Sequence, residues 1–139
     1  MKEPMGGKGG KCKTDSKLKR QMMRRLINAR IDLDAYLQLR KAKGYMSVGD
    51  NDHLRTNLLE LCCELRGNVV PLTRCSSRKE LEMMRQAGEA IASAAVCLMT
   101  GRYDCPSYIA VNVETLERCL TALTNSIRKL DAESPMTHA

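Results

Sequence analysis

At 139 residues the chain makes one domain, long enough to fold without disulfide or metal staples. Its longest apolar runs are only a few residues, which excludes a bilayer-spanning helix, and its first residues lack the apolar core of a secretory signal, so the expected location is the cytoplasm. The formal charge of +7 sits at one end: residues 1–30 hold ten Lys or Arg against Glu3 and Asp15, while the remainder is close to neutral. A neutral body with a basic end points to an acidic partner, such as nucleic acid or an acidic protein surface.

Trp and Phe are absent and only Tyr36, Tyr45, Tyr103 and Tyr108 are aromatic, so the core must come from Leu, Ile, Met, Ala and Cys, which favours helices over sheets. The seven cysteines (Cys12, Cys62, Cys63, Cys75, Cys97, Cys105 and Cys119) are odd in number and form no C-x-x-C. That argues against a secreted disulfide framework and a zinc knuckle, and for free thiols acting as small hydrophobes.

Residues 1–15 interleave four glycines with lysines and supply no apolar surface to bury, which predicts a disordered basic arm. Order is expected to begin near Thr14 to Ser16, each a suitable N-cap. A first helix follows from about Ser16 to Lys43, ending at Gly44. At 100° per residue Met22, Leu26, Leu33 and Leu37 share one face, and Lys17, Arg20, Arg24 and Arg25 lie opposite. After a loop, Asp50 or Asp52 can cap a second helix carrying Leu54, Leu58, Leu61 and Leu65 to Gly67. Asn68 to Ser76, with Pro71, reads as a connection, and Ser77 with Glu80 has the form of a capping box opening a third helix to about Thr100. That helix is rich in Ala, suited to close internal packing before a dimer or ligand groove. Arg102 to Val111 reads as a long loop, and Asn112 caps a fourth helix with the seam Val113, Leu116, Leu120, Leu123, Ile127 and Leu130.

A weak internal repeat supports this layout. Ser16-Lys17 with Met22-Met23-Arg24 reappears 61 residues later as Ser77-Arg78 with Met83-Met84-Arg85, and the Leu54 series matches the Leu116 series at an offset of 62. The expected fold is all-α: an antiparallel four-helix bundle of two helical hairpins over residues 16–131, with a disordered tail at 132–139.

Chemistry is scarce. No phosphate loop, dinucleotide fingerprint, H-E-x-x-H or G-x-S-x-G occurs. Cys75 and Cys105 lie at opposite ends of a helix, roughly 35 Å apart, and cannot share an ion. No catalytic, metal-binding or cofactor-binding residues are expected, and no enzyme. The leading expectation is an accessory or regulatory protein that binds DNA or RNA through phosphates, using Lys8, Lys11, Lys13, Lys17, Lys19, Arg20, Arg24 and Arg25. The lack of aromatics disfavours single-strand stacking. The alternative is a helical protein-interaction module, an adaptor, anti-activator or chaperone, whose arm binds an acidic protein. Homo-oligomers would draw on the Ala-rich helix and the apolar seam, and the arm has no apolar face for a membrane. The order of four helices with a basic character resembles the small accessory proteins that work beside reverse transcriptases in diversity-generating retroelements. The aromatic Gly-Trp element of their last helix is absent, so no residues are carried over.

Overall fold

The computed structural model describes the backbone of residues 3–99, 102–105 and 108–133, and the side chains within 15–99 and 111–133. Five helices, α1 (Glu3–Lys43), α2 (Val48–Gly67), α3 (Val69–Cys75), α4 (Arg78–Met99) and α5 (Val113–Glu133), account for most of it. They form a helical bundle. The Ala-rich α4 packs against α2 on one side and α5 on the other, while α1 packs against α2, α3 and α5.

The helices form where local chemistry asks for them. Gly44 takes φ +83 and its amide bonds back to the Arg40 carbonyl at 2.8 Å, closing α1 by the left-handed route open to glycine. The capping box at α4 is complete: the Glu80 amide donates to Ser77 Oγ at 3.1 Å, and the Ser77 amide to Glu80 Oε1 at 2.8 Å. Asn112 Oδ1 accepts from the Thr115 amide at 3.1 Å at the start of α5. The core takes Met22, Leu26, Leu33 and Leu37 from α1 and Leu54, Leu58 and Leu61 from α2. Ala87, Ala94 and Ala95 of α4 are fully buried, as are Leu116 and Leu123 of α5. Small side chains on α4 thus serve close helix packing inside the chain.

Four expectations need correction. Two connections expected to be loops carry short strands: β1 (Met46–Ser47), β2 (Arg102–Cys105) and β3 (Tyr108–Ala110) form an antiparallel sheet in the order β1-β3-β2. Met46 pairs with Ile109 and Ser47 with Tyr108, joining the two inter-helix connections that the internal repeat makes equivalent. Strands this short, paired across more than sixty residues, leave no alternating pattern to read. Second, α2 starts earlier than Asp50: Ser47, extended by its strand pairing (φ −76, ψ 152), accepts the Asp50 amide on its Oγ at 3.1 Å. Third, the connection containing Pro71 is mostly helix, with Pro71 in the first turn of α3, where its missing amide donor costs no intrahelical bond. Fourth, α1 begins at Glu3 rather than near Ser16. The side chains of residues 1–14 and the expected tail beyond Glu133 lie outside the described residues.

Candidate functional site

Helix α1 carries the predicted contact residues, and packing divides them into three groups. Lys17, Arg20 and Arg24, spaced three and four apart on one stripe, are exposed and make no ion pair with another described residue. Lys19 and Arg25 are engaged. The Lys19 ammonium donates to Glu80 Oε1 at 3.0 Å and to the Cys75 carbonyl at 3.2 Å, and Arg25 donates to Glu64 Oε1 of α2. The side chains of Lys8, Lys11 and Lys13 lie outside the described residues.

These ion pairs fix the roll of α1. Glu80 is 5 % exposed, so its carboxylate is held at once by the capping box and by Lys19. One turn earlier, buried Asp15 accepts from Arg74 Nε at 2.8 Å and from Nη2 at 3.4 Å, and its carbonyl accepts the Cys75 thiol at 3.2 Å. Asp15 therefore clamps α1 onto α3, where sequence reading offers it only as a cap. With Lys19 and Arg25 turned towards the body, Lys17, Arg20 and Arg24 must face outward. Further along this outer face Ile31 is 49 % exposed, an apolar side chain next to a cationic stripe.

A second polar feature is internal. Asn51, with no exposed surface, accepts the Tyr36 hydroxyl on Oδ1 at 3.0 Å and donates Nδ2 to the Leu98 carbonyl at 3.1 Å. It ties α1, α2 and the last turn of α4 together, and satisfies a carbonyl that the helix end would leave open. Burial pushes the Tyr36 phenol well above its ordinary pKa, and also raises the thiols of Cys62, Cys97 and Cys119. Among the described residues these three cysteines are buried, Cys75 is partly buried and Cys63 exposed, all free.

Among the described residues no three His, Cys, Asp or Glu side chains gather to hold a metal, and no helix is long and apolar enough to cross a membrane.

The chain belongs to the YliH/BssR family of biofilm formation proteins, whose model matches residues 14–138. It is 48 % identical over 118 residues to the biofilm regulator BssR of Escherichia coli K12, covering 85 % of this chain and 93 % of that protein. The BssR proteins of Escherichia coli O157:H7 and Shigella flexneri match to the same extent. No solved structure matches. The family is regulatory. These matches overturn the expected nucleic-acid-binding role and the resemblance to retroelement accessory proteins, since family and relatives are described by biofilm formation and its regulation. Packing explains why the basic end misled: two of its cations, Lys19 and Arg25, neutralise this chain's own carboxylates. The family match, moreover, begins after Lys8, Lys11 and Lys13.

Proposed function

We propose that this chain is a cytoplasmic regulator of biofilm formation that works by binding another protein, through the outer face of α1, and that its partner presents carboxylates. The observation that carries this reading is the exposed stripe of Lys17, Arg20 and Arg24, without intramolecular partners among the described residues and inside the span matched by the family. Rim charges of this kind speed encounter and select against like-charged partners, and Ile31 adds apolar contact area further along. The same reading takes α1, α2, α4 and α5 as two antiparallel hairpins forming one unit over residues 16–131, with residues 1–15 as a basic extension and 132–139 as a tail. The relatives named as biofilm regulators support the process, and the pinned roll of α1 supports the surface.

The test is complementation in a strain lacking this protein, with biofilm mass as the readout. The wild-type chain restores the parental level, and so does a chain lacking residues 1–13. Lys17→Glu/Arg20→Glu/Arg24→Glu, with unchanged circular dichroism, does not. Full complementation by the folded triple variant refutes the surface assignment.

A further inference from the structure

A cavity of about 470 Å³ opens on another side of the bundle, where the end of α2, helix α3 and the stretch of α4 from Leu81 to Ala92 converge. Leu65, Val69, Leu72, Leu81, Met84 and Ala92 supply its apolar walls, and Val69, half exposed, stands at the mouth. This size falls within the range of small-molecule sites, which combine apolar walls with a few polar groups that orient the ligand.

The polar groups of this cavity narrow the choice of ligand. The Thr73 hydroxyl already donates to the Val69 carbonyl at 2.7 Å. Arg85 is held between Glu82, at 2.6 Å, and Glu89, so its single charge is already taken up by two carboxylates. The Cys62 thiol is buried. Arg66, exposed in the last turn of α2, lines the cavity without an ion pair to any described residue. Arg66 is thus the cation of the lining left without an ion pair among the described residues, and most of the remaining wall is hydrocarbon. A sugar, a nucleotide or an extended peptide would bury hydroxyls or amides against walls that give them no partner, which is costly. An alkyl chain has no such groups, and a single carboxylate at its end matches a single guanidinium, which binds carboxylates through paired N–H donors.

We propose that this cavity binds a linear aliphatic carboxylate of medium chain length, its alkyl chain against Leu65, Leu72, Leu81 and Met84 and its carboxylate on Arg66. A carboxylate of about ten to twelve carbons lies within the size range that small-molecule sites of this volume take. The site lies apart from the outer face of α1, so it stands or falls independently of the partner surface proposed above.

The experiment is calorimetric titration of the full chain with decanoate, decanol and decyltrimethylammonium, each below its micellar concentration. Decanoate is expected to bind saturably at one per chain, decanol at least tenfold more weakly, and the cation more weakly still. Arg66→Gln, at an exposed position that leaves the fold intact, brings decanoate down to the affinity of decanol and leaves decanol itself unchanged. Ala92→Leu narrows the cavity and lowers the affinity for both. The proposal is overturned if wild-type protein shows no saturable decanoate binding, which would leave the groove to a peptide or a second copy of the chain. It is equally overturned if the three head groups bind alike, if several decanoates adsorb per chain, or if Arg66→Gln leaves decanoate affinity unchanged. Should Ala92→Leu fail to fold, the Arg66→Gln comparison decides alone.

Discussion

Replacing Asn51 with Ala is expected to be among the most damaging single changes in the molecule, although Asn51 touches no proposed surface. The amide is fully buried and makes two hydrogen bonds, from the Tyr36 hydroxyl at 3.0 Å and to the Leu98 carbonyl at 3.1 Å. Each is worth about 0.5–1.5 kcal/mol net, and a buried hydroxyl left without an acceptor adds about 1–3 kcal/mol, so the loss is about 3 kcal/mol. For a chain of this length that lowers Tm by about 9 °C. Urea unfolding followed by circular dichroism measures it, with the m-value unchanged if the native state stays compact. Tyr36→Phe alone leaves the Asn51 oxygen without its donor, so both single changes damage one network. The double variant Tyr36→Phe/Asn51→Ala should then cost about 1 kcal/mol less than the two single changes added together. A loss below about 1 kcal/mol for Asn51→Ala, or strict additivity of the pair, would refute the buried network as a source of stability.

Two further outcomes follow from packing and burial. A Cβ at Gly88 would sit 3.7 Å from Leu65 Cδ1, an ordinary contact in mid-helix, so Gly88→Ala should stabilise the fold by about 0.8 kcal/mol in the same urea assay; a destabilised variant would show α2 and α4 packed more closely than described. The raised thiols of Cys62, Cys97 and Cys119 and the raised phenol of Tyr36 mean that the folded chain keeps protons the unfolded chain releases. Their contribution is therefore fully present below the ordinary thiol pKa of 9.0 and is lost as pH rises above it, so the urea midpoint should fall between about pH 8.5 and 10.5. A midpoint flat over that range would contradict the burial of these groups.

Much of the helical layout was legible because helices and their caps are decided within a few residues. The Leu26, Leu33 and Leu37 series on α1 and the Leu54 and Leu58 series on α2 mark the faces that pack inward. Ser77 and Glu80 close their box by themselves, and Gly44 ends α1 where an L-residue would be strained. Cysteine behaviour was legible in part: Cys62, Cys97 and Cys119 take core positions, whereas Cys63 is exposed.

The candidate surface was only half legible. Sequence reading singles out eight of the ten basic residues at one end of the chain, but it cannot say that Lys19 will meet Glu80, 61 residues away, or that Arg25 will meet Glu64, 39 residues away. Charge counting treats every cation as available, whereas tertiary packing assigns some of them to the chain's own carboxylates. The buried role of Asn51 was hidden for a related reason: beside Asp50 and Asp52 it looks like part of a capping cluster, and only the convergence of α1, α2 and α4 removes it from water and supplies its partners. The small sheet has the same origin, because β1 and β3 find each other through the approach of two connections rather than through any pattern within them. The sequence alone determined most of the helix positions, the caps at Gly44, Ser77 and Asn112, and the inward faces, which depend on contacts within about one helical turn. The pairing of strands, the choice of ion partners, the cavity between α2, α3 and α4 and the identity of the free cations were decided only by the tertiary structure, because each depends on groups brought together from distant parts of the chain.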